Sequence, residues 1–345
     1  MKGKVIHMEK EINLSHGAGG EAYREMVREV FLPAYGSPEL GALGDSAVCE
    51  TGDGKEIAFT TDGFVVWPLF FPGGDAGSLA VSGTVNDLAV SGAVPRYLSV
   101  AMIAEAGLKT ETLRNIAASI AGTAEKAGVR VVTGDTKVVE RGRADGIYIT
   151  TSGVGTFDGD WDRPPQKVLP GDALLVSGPI ASHGIAVMAA REKLDFDPPI
   201  PSDARPLASL IRAVLEKGFP VHAMRDPTRG GLGATLCEWA EESAVELTVR
   251  EDALPIREDV RAACALLGLD PLFCANEGVC VFAVPEDRAE ETLSILRGHP
   301  DGRFAAVIGR AASTAGGAGH VSIDTGYGTL RRVMMPTGEL LPRIC

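Results

Sequence analysis

The chain has 345 residues, of which 45% are hydrophobic and 23% are charged, and this length predicts roughly two domains. The composition excludes an intrinsically disordered chain, because burial of so much apolar surface can offset the entropy cost of folding. The net charge of −13 argues against a nucleic-acid-binding or membrane-surface protein, since both normally present a basic face.

The N-terminal half alternates between strand and helix patterns. Apolar runs predict strands at 56–61, 97–103, 129–133 and 147–151, and helical periodicity predicts helices at 78–91 and 110–127. Thr110 is the expected N-cap of the second helix, and Gly128 is its expected left-handed C-terminal residue.

The second half repeats this mixture of elements. The patterns predict strands at 173–177, 279–284 and 304–308 and helices at 182–194, 204–217, 231–243 and 286–297. The proline-rich segment 161–171 marks a boundary. We therefore expect an α/β (α+β) protein with an N-terminal domain at 1–160, a second layered α/β domain at 170–330 and a short tail at 331–345.

The sequence predicts a cytoplasmic location. Neither a signal peptide nor an apolar run long enough to span a membrane is visible. The six cysteines are scattered and form no C-x-x-C pair, so we expect reduced thiols rather than a disulfide framework or a zinc site.

Four aspartates of the first half, each among small or apolar residues, are candidate Mg²⁺ ligands. They are Asp45, Asp62, Asp87 and Asp135. A carboxylate in apolar surroundings is costly unless it is paired, and Mg²⁺ uses a few carboxylates together with nucleotide phosphates. The alternative interpretation is that each aspartate is a turn former or a helix cap.

Two glycine-rich segments are candidate phosphate-binding loops. The first, HGAGG, contains His16, Gly17, Gly19 and Gly20. The second, RDPTRGGL, opens a predicted helix and contains Asp226, Arg229, Gly230 and Gly231. Exposed backbone N–H groups can bind anionic oxygens, particularly at a helix N-terminus. Neither segment is a Walker loop, so the two loops and the aspartates together favour a nucleotide–magnesium site.

Three further residues are candidates for the chemistry. Lys137 follows Asp135 by two residues and so projects from the same face of a strand, towards the same phosphates, unless it is a solvated lysine. Glu277, in an otherwise apolar segment, is a candidate general base or an inert turn carboxylate. Cys345 ends the sequence after Pro336, Gly338 and Pro342, which predicts a mobile arm whose thiol can be acylated.

The segments HGAGG, GDSA, TTDGFVVWPLFFPGGDAGSLAVSGTVNDLAVSGA, GDTKVV, RDPTRGGL, NEG and the ending PRIC together resemble the HypE family of hydrogenase maturation proteins. The aspartate and glycine segments alone resemble the wider family of aminoimidazole ribonucleotide synthetase, selenophosphate synthetase and thiamine-monophosphate kinase. The resemblance implies a homodimer in which the N-terminal sheets pair into a barrel, with ATP near the dimer interface, a C-terminal α/β sandwich domain and a flexible tail.

The resemblance also implies a reaction and its partners. The thiol of Cys345 would receive a carbamoyl group from HypF, and ATP would drive its dehydration to S-cyanide. The cyanide would pass to a HypC–HypD complex for the nickel–iron centre of hydrogenase. The four aspartates would hold Mg²⁺, with Asp226 a weaker member, and Glu277, with or without Lys137, would handle the protons. A small-molecule kinase or synthetase of the wider family, and a non-catalytic assembly scaffold, are the alternatives.

Overall fold

The computed structural model describes residues 11–314, 316–337, 341 and 343–345. Its strands form two large sheets, one in each half of the chain, and a short two-stranded ribbon. Residues 157–171, which include the proline-rich segment, run between the two sheets. The protein is therefore a mixed α/β fold built on two sheets, as the sequence predicts. Among the described residues, no helix is long and apolar enough to cross a membrane.

The N-terminal sheet has five strands in the order β1-β2-β7-β5-β6, and β5 and β6 are its parallel pair. The strands of this half, including the ribbon β3-β4, are β1 (Ala47–Glu50), β2 (Glu56–Phe64), β3 (Phe70–Phe71), β4 (Gly74–Asp75), β5 (Val94–Glu105), β6 (Arg130–Val139) and β7 (Ile147–Thr156). Its helices are α1 (Glu21–Met26), α2 (Leu32–Tyr35), α3 (Pro38–Gly41), α4 (Ala76–Val90) and α5 (Thr110–Ala127).

Helix α5 has the predicted span, and Gly128 ends it in the left-handed region with φ 71°. The predicted N-cap is wrong by one residue. The cap position is Lys109, which is extended and whose side chain makes no capping hydrogen bond, whereas Thr110 is already helical. The helix therefore begins without a side-chain cap.

Helix α4 is apolar on all sides and almost wholly buried. Such a helix needs partners all around it, and it packs on the N-terminal sheet, on α5 and on elements of the second half. It begins two residues before the predicted start, because the Asp75 carboxylate accepts from the backbone N–H groups of Gly77 and Ser78. Helix α4 thus contributes to apolar clusters that contain residues of both halves.

The second sheet has seven strands in the order β14-β13-β10-β12-β8-β11-β9, in which β10 and β13 are the parallel pair. Its strands are β8 (Asp172–Val176), β9 (Ala223–Arg225), β10 (Val245–Arg250), β11 (Val281–Pro285), β12 (Ala306–Ser313), β13 (His320–Asp324) and β14 (Leu330–Val333). The helices are α6 (Ser182–Glu192), α7 (Ala208–Leu215), α8 (Gly231–Ser243), α9 (Glu258–Leu267) and α10 (Ala289–Gly298).

Helix α7 is shorter than the predicted helix at 204–217. Pro206 disfavours helical backbone in the residue before it. The N–H of Leu207 donates to Oδ1 of Asn86 on α4 at 2.7 Å. Residues 204–207 therefore form an irregular segment that packs against α4, close to the candidate site.

Candidate active site

Four carboxylates that are far apart in the sequence lie close together in the structure. They are Asp45, Asp62, Asp87 and Asp226, named here the acidic cluster. Thr60 connects two of them, because its hydroxyl lies 2.8 Å from Oδ2 of Asp87 and 2.9 Å from the carbonyl oxygen of Asp45. Thr84 on α4 donates to Oδ2 of Asp62 at 3.2 Å.

The negative charges of the acidic cluster repel one another. Burial raises the pKa of Asp87 well above its usual range, and the charges of Asp62, Asp226 and Asp45 raise it further. Burial and then the charge of Asp45 raise the pKa of Asp226 in the same way. Oδ2 of Asp226 is buried and has no hydrogen-bond partner among the described residues. A cation or bound protons would relieve this repulsion.

The donor chemistry of the cluster fits Mg²⁺, because every side-chain ligand is a carboxylate oxygen. The described residues, however, include no group of three or more His, Cys, Asp or Glu side chains arranged to hold a metal ion. Mg²⁺ usually takes one or two carboxylates and completes its shell with water and substrate phosphates. The residues therefore fit an ion that arrives with a nucleotide rather than a preformed metal cage.

Arg225 balances part of this negative charge. Its Nε lies 3.3 Å from Oδ1 of Asp45, and its Nη1 lies 2.7 Å from Oε2 of Glu238 on α8. Burial opposes the charge on Arg225, but these carboxylates keep its pKa raised. Asp45 is therefore attracted to an arginine on one side and repelled by the other carboxylates of the acidic cluster.

The two predicted glycine-rich loops touch each other. A Cβ on Gly19 would lie 2.7 Å from Cβ of Arg229, and a Cβ on Gly230 would lie 3.1 Å from the carbonyl oxygen of Gly19. Both glycines have positive φ, as does Gly231 at the start of α8. Close backbone packing therefore accounts for part of the glycine content.

The rest of the first loop has three different environments. His16 is buried and lies in a short 3₁₀ turn, where its Nδ1 accepts from the N–H of Asn13. A Cβ on Gly20 would lie 2.5 Å from the carbonyl oxygen of Pro336. Gly17 is exposed, with open space where its Cβ would be. Its backbone is the part of this loop most open to a ligand.

Glu277 is buried beside the acidic cluster, and its Oε1 has no hydrogen-bond partner in the part of the chain that the structure describes. Burial raises its pKa well above the usual range, and the charges of Asp226, Asp203 and Asp62 add to the effect. The charge of Arg229 acts in the opposite direction. A carboxylate with a raised pKa and an unused oxygen is a stronger base than an exposed one, as a general base requires.

The last residues of the chain are docked in this site. The carbonyl oxygen of Cys345 accepts from the N–H of Val65 at 3.0 Å, and Ile344 is 3% exposed. Cys345 is partly buried as a residue, and burial of its thiol raises the thiol pKa to about 12. The charge of Arg229 lowers this pKa, and the charges of Glu277 and Asp62 raise it further. The structure thus places the predicted acceptor thiol beside the predicted base, whereas Gly338 and Pro342 lie outside the described residues.

Asp135 and Lys137 are not part of this site within one chain. Both are exposed on the edge strand β6, and their side chains form an ion pair at 2.7 Å. The strand register aligns Asp135 with Ala101, Thr150 and Gly63 across the sheet, which is three strand spacings, or about 14 Å. Asp62 faces α4, because Thr84 of α4 donates to its carboxylate. The row of Asp135 is offset from Asp62 by one residue along the strands and therefore faces away from α4.

The prediction that Asp135 shares an ion with the other aspartates is therefore wrong for a single chain. Ligands of one Mg²⁺ each lie about 2.1 Å from it, and these groups are much further apart. The pKa of Asp135 is lowered by its hydrogen bond with Lys137, as expected for an exposed ion pair. Asp62 and Asp135 share the same sequence pattern, an aspartate that follows a predicted strand and adjoins a glycine. This local pattern carries no information on the order of the strands in the sheet.

The residues of the site that were not predicted from the sequence include Asp203 and His183. Asp203 is 5% exposed and accepts from the backbone N–H of Glu277 at 3.0 Å. His183 is wholly buried and lies 3.0 Å from the carbonyl oxygen of Ile344. Asp203 follows a proline-rich stretch typical of an exposed loop, and His183 lies at the start of an apolar helix. Their local sequence therefore gives no signal of a role.

Comparison with known protein families matches both halves of the chain. Residues 43–157 match the family described as AIR synthase related protein, N-terminal domain. Residues 170–322 match AIR synthase related protein, C-terminal domain. The carbamoyl dehydratase HypE of Azotobacter vinelandii is 45% identical over 334 residues, which cover 97% of each chain.

Solved structures give the same relationship. This chain is similar to a hydrogenase maturation protein HypE solved in complex with ATP, with 43% identity and a TM-score of 0.80, covering 97% of this chain and 100% of that one. It is also similar to a chain of a HypE–HypF complex, with 44% identity and a TM-score of 0.84, covering 90% and 99% of the two chains. The relationship therefore extends over both domains.

Proposed function

This chain belongs to the HypE family of carbamoyl dehydratases, and on that premise we propose that it uses ATP to convert an S-carbamoyl group on Cys345 into an S-cyanide. The motif-based resemblance to this family is confirmed by the full-length similarity. The observation that carries the proposal is the position of the Cys345 thiol, whose pKa responds to the charges of Arg229, Glu277 and Asp62.

Three features support ATP as the phosphoryl donor. A similar structure was solved with ATP, and the acidic cluster needs a counter-charge that Mg²⁺ on a nucleotide would bring. A cavity of about 980 Å³ lies between α5 and β6, and Gly134, Asp135 and Thr136 of the GDTK segment line it. This volume is within the range of small-molecule sites. The cavity lies at the open edge β6 rather than at the acidic cluster, so it supports a nucleotide that reaches the cluster only in the homodimer proposed below.

Mg²⁺ would be held by Asp62 and Asp87, with Asp45 or Asp226, together with the nucleotide phosphates. It would neutralise charge that develops on the transferring phosphoryl group. The protein contributes the positions of these carboxylates, and Thr60 and Thr84 hold two of them by hydrogen bonds.

In the overall reaction the carboxamide loses the elements of one water, and these hydrolyse ATP to ADP and phosphate. The carboxamide oxygen attacks the γ-phosphorus, and the bond from that phosphorus to the ADP oxygen breaks. Glu277 accepts a proton from the amide nitrogen. The C–O bond then breaks, phosphate leaves with the former amide oxygen, and loss of the second N–H proton completes the nitrile. The products are the S-cyanide, ADP, phosphate and one proton. Phosphate is a far better leaving group than the amide oxygen, which is why the reaction needs ATP.

We further propose a homodimer formed through the N-terminal sheet. The face of this sheet away from α4 carries exposed apolar side chains, including Phe59, Tyr97 and Ile103. Strand β6 is ten residues long, and no other strand of the described residues pairs with its outer edge. Large exposed apolar faces and open edges of this kind are normally covered by a partner. A second copy would also bring an acidic cluster within reach of Lys137, which lies far from the cluster of its own chain.

HypF is the proposed carbamoyl donor, and the similar chain of a HypE–HypF complex supports this partner. A HypC–HypD complex as cyanide acceptor rests on the family resemblance. The two alternative functions, a small-molecule kinase and a non-catalytic scaffold, differ from the dehydratase in when ATP is hydrolysed.

ATP turnover separates these functions. We expect the purified protein to release ADP and phosphate only after its tail has been carbamoylated, in a ratio of one ADP per tail. Cys345→Ala, which cannot be loaded, is the matched control and should release none. ADP release that depends on an added metabolite and persists in Cys345→Ala would favour the kinase, and no release in either protein would favour the scaffold.

A further inference from the structure

The loop segment at Ser202 and Asp203 contacts both reacting parts of the proposed site. Asp203 holds the backbone of Glu277, because its Oδ1 accepts from the Glu277 N–H at 3.0 Å. In return, the N–H of Arg205 donates to the carbonyl oxygen of Glu277 at 3.2 Å. A Cβ on Gly278 would lie 1.8 Å from the carbonyl oxygen of Asp203, so the two backbones are in direct contact.

Ser202 holds the tail through His183. Nε2 of His183 lies 3.0 Å from the carbonyl oxygen of Ile344, which can only accept, so this nitrogen carries the proton. Nδ1 therefore accepts, and the Ser202 hydroxyl donates to it at 2.8 Å. Burial lowers the pKa of His183 to about 4, which keeps the ring neutral. The Ser202 hydroxyl in turn accepts from the N–H of Ala204 at 3.0 Å.

The segment itself is anchored on the N-terminal half. The N–H of Ser202 donates to the carbonyl oxygen of Pro72 at 2.7 Å. Asn86 of α4 donates to the carbonyl oxygens of Arg205 and Glu277. These bonds join the segment, the base and α4, and α4 also carries Asp87 of the acidic cluster.

We propose that Ser202 and Asp203 are positioning residues that align the tail and the base Glu277 for the dehydration step. The inference rests on the proposed function and deepens it. Neither side chain touches the reacting atoms. Asp203 acts through the backbone N–H of Glu277, in addition to the effect of its charge on the pKa of that residue. Ser202 acts through His183 on the backbone of the tail. Such alignment matters because a displacement of about 1 Å can cost roughly a hundredfold in rate.

The test compares Asp203→Ala, Asp203→Asn and Ser202→Ala with the wild type. Each protein is carbamoylated and mixed with excess ATP, and the tail peptide is followed by mass spectrometry. We expect Asp203→Ala to slow conversion to the cyanide about 10–100-fold, with carbamoylation and ATP affinity retained. Asp203→Asn keeps an oxygen that can accept from Glu277 and should recover most of the rate. Asp195→Ala, exposed in the same loop, is the matched control.

Alkylation of Cys345 by iodoacetamide gives a separate measure of tail docking. Ser202→Ala should raise the alkylation rate several-fold, and Asp203→Ala should leave it at the wild-type value. The proposal is overturned if Asp203→Ala converts at the wild-type rate, if Asp203→Asn is as slow as Asp203→Ala, or if Ser202→Ala leaves alkylation unchanged. If the wild type itself makes no cyanide, the proposed function fails instead, so the two failures are distinguishable.

Discussion

Asp62 and Asp135 lie on opposite faces of the N-terminal sheet, three strand spacings apart. Their separation divides the predicted nucleotide residues into two groups. The acidic cluster, Glu277 and Cys345 form one group in the core of the chain, and Asp135 and Lys137 form the other on an open edge. A homodimer would unite the groups if the edge of one copy faced the acidic cluster of the other.

Complementation between two inactive variants tests this arrangement. Glu277→Gln and Lys137→Ala homodimers should each be slow alone. If Lys137 acts across the dimer, each mixed dimer has one site with both residues intact. Random mixing gives half mixed dimers, so about a quarter of the wild-type activity should return. The assay is ATP-dependent conversion of the carbamoylated tail after the chains have been exchanged.

The matched control mixes Glu277→Gln with Cys345→Ala in the same way. No recovery in the Glu277→Gln and Lys137→Ala mixture, despite mixed dimers detected by native mass spectrometry, would show that Lys137 acts within its own chain or not at all.

Asp87→Asn should have opposite effects on folding and on ligand binding. The pKa of Asp87 is raised by burial and by neighbouring carboxylates, so the ionised form opposes folding when no cation is present. The neutral amide should therefore raise the melting temperature of the ligand-free protein. It should also weaken Mg²⁺-dependent ATP binding about tenfold or more, measured by calorimetry. A lower melting temperature and an unchanged affinity for Mg·ATP in Asp87→Asn would contradict the role of Asp87 as a ligand of the cation.

The sequence predicted the elements of the fold better than their mutual positions. The span of α5 follows from its apolar spacing and from Gly128, because both are local signals. The convergence of Asp62 and Asp87 could be inferred from the cost of isolated carboxylates in apolar segments. The position of Asp135 outside the acidic cluster could not be inferred from the sequence. It depends on strand order and on side-chain direction across several strands. Asp203 was missed because its hydrogen bond is with residue 277, far along the chain.

Glu277→Gln should stop the reaction after carbamoylation. The amide keeps the shape of the side chain but cannot take the proton, and loss of a general base typically costs about 10²–10⁴-fold in rate. The carboxamide form of the tail should therefore accumulate in the presence of ATP, as measured by mass spectrometry of the tail peptide. Conversion at the wild-type rate would exclude Glu277 as the base and make Lys137 the leading candidate.

The stability contributed by Asp203 should depend on pH. Burial raises its pKa from 3.8 to about 6, so the neutral form is favoured in the folded state. Its contribution to stability is therefore complete below about pH 3.8 and is lost as the pH rises through 6. Between pH 4 and pH 7 the wild type should lose about 2–3 kcal/mol relative to Asp203→Asn. Urea unfolding of both proteins measures this difference, and a constant difference across the range would contradict it.

Gly278→Ala should strongly destabilise the site. The added methyl would lie 1.8 Å from the carbonyl oxygen of Asp203, so one backbone must move. Overpacking of this kind typically costs about 1–3 kcal/mol or more. Gly122→Ala is the control, because it lies within α5 with open space around its Cβ position, and it should be neutral or stabilising by up to about 1 kcal/mol. Equal melting temperatures for the two variants would contradict the close contact.

Mass spectrometry of the tail peptide follows the proposed conversion on Cys345 itself. The protein is incubated with HypF, carbamoyl phosphate and ATP, and Cys345→Ala serves as the control. We expect Cys345 first to gain one carbamoyl group and then to lose the mass of one water, with one ADP formed per tail. A tail that stays at the carboxamide mass with excess Mg·ATP, or a modification that appears equally in Cys345→Ala, would contradict the proposed dehydration on Cys345.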